Sequence, residues 1–274
     1  MKKFIGNVMA SIIGFFIAMF IVFFVMLGII GAIADGLEDR DDKVKIKDNS
    51  ILELKLNYPI IDRTIKNPFK DIDFTSFESK KKLGLNDIIK AIENAKNDEK
   101  IKGIYLNVSS LQAGLAAIEE IRNALEDFKK SGKWIVAYSE NYSQMAYYLA
   151  SVADELYVYP EGGISFLGLR TELAFFKGLL DKLDVEVQVI RGRNNKFKSA
   201  VEPFMYEHMS DANREQITRF QQSMWKHILG KISESRNIPV ERLNLIADSI
   251  LIQNGYDAVN IKMADKVMYQ DEVT

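Results

Sequence analysis

From Met9 to Ala34 the chain runs for 26 positions without a charged side chain. At a rise of about 1.5 Å per residue such a helix is about 39 Å long, enough to cross a hydrocarbon layer of about 30 Å with some tilt. Beyond it, short apolar-rich stretches alternate with stretches whose apolar residues recur every three to four positions. Ile51–Leu56, Ile101–Val108, Trp134–Tyr138, Leu156–Tyr159 and Val185–Ile190 read as strands. Ile88, Ile89, Ile92 and Ala95 share one helical face, as do Ile118, Ile121, Leu125 and Phe128, and again Leu173, Phe176, Leu179, Leu180 and Leu183. From Asp211 the period is helical through Ile217, Phe220, Met224, Ile228 and Ile232, and Gly255–Val267 closes the pattern with a short helix and a strand. Strands alternating with helices predict βαβ crossovers and a mainly parallel sheet, so the expected class is α/β behind one N-terminal transmembrane helix.

This pattern divides the chain into a leading segment 1–8, a span 9–34, a charged tether 35–49 and a folded domain 50–274. A cleaved signal peptide is the rival reading of the span, because Lys2 and Lys3 form a basic leader and Ala32-Ile33-Ala34 resembles a cleavage site. An h-region of roughly 7 to 15 residues is much shorter than this span, which favours an uncleaved anchor. Charge alone leaves the orientation open: Lys2 and Lys3 precede the span, whereas Arg40, Lys43, Lys45 and Lys47 follow it, beyond five acidic residues. Thr64–Lys82 is the least regular stretch and reads as a surface loop. The chain stops at Asp271-Glu272-Val273-Thr274 without a clear terminating device, which leaves a longer protein open.

Setting aside Lys2 and Lys3 leaves 34 basic against 38 acidic residues, a net charge of −4 with no electrostatic footprint for nucleic acid. With no cysteine, the chain has no disulfide, thiolate metal site or cysteine nucleophile. His208 and His227 lie 19 residues apart in a helical region and lack metal-ligand spacing, and no cofactor fingerprint is present. A hydrolase built from these residues needs a serine activated by another base, for which lysine is the known substitute. Such a lysine has to lose its proton near neutral pH, so it belongs among apolar neighbours. Phe197-Lys198-Ser199-Ala200-Val201 fits this better than the lysines in charged runs, although composition alone favours Lys198 as a surface residue.

The stretch read whole carries more. Glu140-Asn141-Tyr142-Ser143-Gln144, Tyr147-Tyr148-Leu149-Ala150-Ser151, Leu179-Leu180-Asp181-Lys182-Leu183 and above all Lys198-Ser199-Ala200-Val201-Glu202-Pro203-Phe204 resemble the N-terminal half of the long form of the signal peptide peptidase A (protease IV) family, over roughly Ser50 to Tyr269. The resemblance implies a ClpP/crotonase-like spiral of βαβ units, a single-pass protein of the inner (cytoplasmic) membrane with residues 1–8 cytoplasmic and the domain periplasmic, and serine peptidase activity on signal peptides left in the bilayer. It also implies a homo-oligomer, a tetramer by analogy, without cofactor or metal. In the long form two homologous halves share one site, and Lys198 matches the general-base lysine of the N-terminal half, whose partner serine comes from the C-terminal half.

Ser143 complicates this expectation, because it occupies the place where the catalytic half carries its nucleophile in an A-S-G-G-Y-Y-like turn. Short-form relatives keep serine and lysine in one domain at a separation near the 55 residues between Ser143 and Lys198. Here Gln144-Met145-Ala146 replaces the paired glycines whose amides approach a developing oxyanion. The leading expectation is therefore a fragment that supplies Lys198 to an absent serine. A self-sufficient peptidase using Ser143 and Lys198, and a non-catalytic scaffold of the same fold, stay as alternatives. An acyl-CoA hydratase of that fold suits neither the span nor the lysine motif.

Overall fold

The computed structural model describes residues 2–37, 45–64, 82–192 and 194–273, so much of the expected tether and of the stretch Thr64–Lys82 lies outside the described residues. Two units are distinguished, residues 1–46 with 66–79, and residues 47–65 with 80–274. In the first, helix α1 (Lys2–Leu37) contains the expected span. Within its stretch Lys3–Ile29 the most apolar 18 residues have a mean hydropathy of 3.0, and the side chains are exposed throughout. That length and composition suit a membrane anchor and a signal sequence alike.

The second unit is built on a five-stranded sheet. In chain order its elements are β1 (Ser50–Lys55), β2 (Ile60–Ile61), β3 (Leu83–Gly84), α2 (Leu85–Asn97), β4 (Ile101–Asn107), α3 (Leu115–Lys129), β5 (Trp134–Tyr142), α4 (Gln144–Ala150) and β6 (Glu155–Ile164). There follow α5 (Lys177–Lys182), α6 (Glu202–Met205), α7 (Asp211–Arg236), α8 (Val240–Asp248), α9 (Gly255–Asn260), β7 (Lys266–Val267) and α10 (Gln270–Val273). The sheet order is β1-β4-β5-β6-β7 with every pair parallel, and β2 and β3 form a separate parallel pair. Parallel strands covered on both faces read as continuous apolar runs, and β4 shows this with Gly103, Ile104, Tyr105 and Leu106 all buried. The amphipathic faces of α2 (Leu85, Ile88, Ile92, Ala95) and α3 (Ile118, Ile121, Leu125, Phe128) are buried as the periodicity requires.

Three departures from the sequence reading have physical causes. Val185–Ile190 forms no strand: the alternating apolar side chains are there, but no described segment pairs with them, and Val185, Val187 and Ile190 stay 47%, 41% and 100% exposed. The fifth sheet position is filled by β7, which registers Tyr157 against Lys266 and Val158 against Val267. The helix expected through Leu173–Leu183 shrinks to the six residues of α5, none of them buried. Helix α4 gave no periodic signal because Ala146 to Ala150 are buried on every side, which erases the contrast between faces.

A buried arginine ties α4 to its neighbours. The Arg122 guanidinium donates to the Tyr148 carbonyl, to Ser151 Oγ at 2.9 Å, to the Lys231 carbonyl at 3.2 Å and to Ser235 Oγ. It pairs with Glu126 at 3.2 Å and lies 4.8 Å over the Tyr148 ring. One side chain thus links α3, α4 and α7.

Candidate active site

Strand β5 delivers the chain to Tyr142, and the next residue, Ser143, turns it into α4. Ser143 is the N-cap, with φ −65° and ψ 159°, and its Oγ accepts the Ala146 N–H at 3.3 Å. Its own N–H donates to the Ser109 carbonyl at 2.8 Å. Serine is among the preferred residues here because its oxygen satisfies an amide with no intrahelical partner. Among the described residues no basic side chain hydrogen-bonds to Ser143 Oγ.

Gln144 is occupied too. Its Oε1 accepts the Leu167 N–H at 3.0 Å and the Gly168 N–H at 2.9 Å, while Nε2 donates to the Gly168 carbonyl at 2.9 Å. The segment after β6 is therefore clipped to the start of α4 by this side chain.

Lys198 lies far along the irregular segment between α5 and α6. Its backbone is held on both sides: the N–H donates to the Asn195 carbonyl at 2.9 Å, and its carbonyl accepts Arg191 Nη2 at 2.8 Å. The side chain is exposed, as are Phe197 and Ala200, so the apolar enclosure expected of a base is not supplied by the described residues of this chain. A pocket of about 440 Å³ opens beside it, lined by Ser199, Ala200, Leu173, Pro203, Ile217 and Phe220 among others, with Ser143 not in its wall. The structure joins Ser143 and Lys198 by no hydrogen bond among the described residues.

Downstream of the lysine, the Glu202 N–H donates to the Ser199 carbonyl at 2.9 Å and the Phe176 N–H to the Pro203 carbonyl at 2.7 Å. Phe204 stacks on Phe176 with ring centroids 5.8 Å apart. The Glu202 carboxylate, 2% exposed, accepts Ser210 Oγ at 2.6 Å, the Ser210 N–H at 3.3 Å and Asn213 Nδ2 at 2.9 Å. Burial alone would raise its pKa, but these hydrogen bonds and the positive charge of Arg191 outweigh that and hold it below the ordinary carboxylate value.

His227 belongs to another network. Its Nε2 lies 3.1 Å from Glu119 Oε2 and 3.4 Å from the Tyr148 hydroxyl, which itself donates to Glu119. Burial would raise Glu119, yet the hydrogen bonds from Tyr148 and His227 and the nearby positive charges win and lower it. The role of Gln144 and the backbone bond of Arg191 left no mark in the sequence. Glu202 was legible only as part of the motif around Lys198.

Comparison with known proteins identifies the family of the chain. The chain is 40% identical to Protease 4 of Haemophilus influenzae over 164 residues, which is 60% of this chain and 26% of that protein. It is 39% identical to Protease 4 of Salmonella typhi over 168 residues, 61% of this chain and 27% of that protein. It is 30% identical to the chloroplastic serine protease SPPA of Arabidopsis thaliana over 195 residues, 70% of this chain and 28% of that protein. The match thus spans about a quarter of the length of each of these three relatives. The model of peptidase family S49 matches residues 127–274, which takes in Ser143, Lys198 and all of α7, and the parallel α/β sheet fits the ClpP-like fold of that family. With more than half of its length matched, the chain belongs to peptidase family S49.

Proposed function

We propose that this chain is the lysine-bearing N-terminal portion of a membrane-anchored serine endopeptidase that degrades cleaved signal peptides. In this reading α1 anchors the protein with residues 1–8 in the cytoplasm and the folded unit on the outer side of the cytoplasmic membrane. Lys198 is the general base, the nucleophilic serine comes from a homologous C-terminal half, and several copies assemble around the site. The observation that carries it is the division of labour between two side chains. Ser143 Oγ caps α4 beside a glutamine that engages the Leu167 and Gly168 amides, whereas Lys198 has a pinned backbone and an exposed amine with no acidic partner among the described residues, in a segment rich in exposed apolar groups.

The chemistry then follows. A lysine with an ordinary pKa of about 10.4 is protonated at neutral pH and accepts nothing. Covering the exposed face with the second half desolvates the amine and favours its neutral form. The neutral amine takes the proton of the serine hydroxyl as the oxygen attacks the scissile carbonyl, and returns it to the leaving amine when the peptide bond breaks. Water then attacks the acyl-enzyme carbonyl, the same lysine takes its proton and passes it to the serine oxygen as the ester bond breaks and the acid product leaves. Leu173, Ile217 and Phe220 around the adjoining pocket suit the apolar side chains of signal peptides.

The test is steady-state turnover of a leucine-rich peptide substrate by the complete enzyme. Lys198→Ala is expected to lower kcat by at least about two orders of magnitude. Lys198→Arg fares no better, because a guanidinium stays protonated. Ser143→Ala leaves turnover near the wild-type level and costs about 1 kcal/mol of stability through the lost cap. Near-normal turnover by either lysine variant, or loss of turnover with Ser143→Ala in a folded protein, contradicts the reading.

A further inference from the structure

Between residue 165 and residue 201 the chain is mostly irregular and its side chains mostly half-buried or exposed, so packing fixes this segment weakly. A general base on such a segment loses rate quickly if it wanders, because misplacement by about 1 Å costs of order 100-fold. Two side chains correct this. Arg191 reaches back over seven residues to the Lys198 carbonyl at 2.8 Å, and its Nε is closed off from solvent with no hydrogen-bond partner among the described residues. Glu202, four residues after the lysine, is buried and engages the first turn of α7 through Ser210 and Asn213, the latter 3% exposed.

Neither arrangement is what stability alone selects. Ser210 caps α7 without help, since its Oγ already accepts the Asn213 N–H at 3.2 Å. A buried carboxylate is costly to desolvate, and well-packed apolar groups in such places are often as stable. The network instead fixes geometry: Glu202 sets where the turn at residues 199–206 meets α7, and Arg191 sets where the lysine backbone sits relative to that turn.

We propose that Arg191 and Glu202 are positioning residues for Lys198, clamping its loop to the start of α7 so that the amine meets the serine in one place. The proposal rests on Lys198 being the base. Both residues act through the lysine and touch neither the substrate nor the reacting atoms.

The experiment is steady-state kinetics on the complete enzyme at a temperature where circular dichroism shows every variant folded. Arg191→Met and Glu202→Gln are each expected to lower kcat about 10- to 100-fold with KM within about twofold, the signature of a misplaced base rather than weakened binding. Arg191→Lys, which keeps a donor and the charge, recovers part of the loss. Introduced into Lys198→Ala, Arg191→Met costs nothing further, because the residue acts only through the lysine. Wild-type kcat in Arg191→Met and Glu202→Gln beside a dead Lys198→Ala refutes the clamp and leaves the base intact. A rise in KM at unchanged kcat, or an undiminished loss in the Lys198→Ala background, refutes it as well. An active Lys198→Ala enzyme removes the base and the clamp together.

Discussion

Ser143 and Lys198 bear the two groups a serine-lysine hydrolase needs, and the structure holds them in different surroundings. The serine oxygen is an acceptor for a helix amide, and the lysine side chain is exposed. Glu202 makes the electrostatics of this region measurable. Its folded pKa lies below that of an ordinary carboxylate, which burial opposes and the bonds from Ser210 and Asn213 with the charge of Arg191 impose. A depressed folded pKa stabilises the protein above the unfolded value and loses that contribution as pH falls through the folded one. Urea unfolding should therefore find Glu202→Gln less stable than wild type at pH 7. The difference should shrink as pH drops below about 4.3, and a gap independent of pH would show that folding does not lower the pKa of this carboxylate. At this scale the sequence revealed Lys198, because it sits in a specific string. It did not reveal Arg191, whose bond goes to a backbone carbonyl and leaves no pattern of residue types.

Among the elements, those with an apolar and a polar face were legible: α2, α3 and α7 lie where their periods placed them, and β1, β4, β5 and β6 where short apolar runs did. Periodicity failed where surroundings are uniform or absent. Helix α4 is buried all round, and Val185–Ile190 has the alternation of a strand without a neighbour to pair with. The position of α4 depends on Arg122, a side chain whose importance composition does not show. Removing its charge takes a donor from the carbonyls of Tyr148 and Lys231 and the cation from Glu126, although Ser151 and Ser235 hydroxyls still reach the two carbonyls. Arg122→Met is expected to destabilise the protein by at least about 2 kcal/mol in urea unfolding, since several charge-assisted bonds are lost while the apolar stem is kept. An unchanged midpoint would show that the helices pack without it.

Taken whole, the folded unit presents an apolar face that a protein in water does not leave uncovered. Leu179, Leu183, Val185, Val187, Ile190 and Phe197 are each at least 41% exposed, and all lie within twenty residues of chain leading to Lys198. In the proposed reading, a second half or a neighbouring copy seated there would bury these side chains and desolvate the lysine, and assembly would then be needed for activity. Leu183→Asp with Val187→Asp in the complete enzyme should give a smaller species by light scattering and lower turnover with it. Full-size, fully active particles would separate that face from assembly.

The central claim is that this chain contributes the base and another segment contributes the serine. Labelling the complete enzyme with a fluorophosphonate that forms a covalent bond to activated serine, followed by peptide mass mapping, tests it in one step. The label is expected on a serine outside residues 1–274, and it should disappear in Lys198→Ala while persisting in Ser143→Ala. A label on Ser143 would contradict the account.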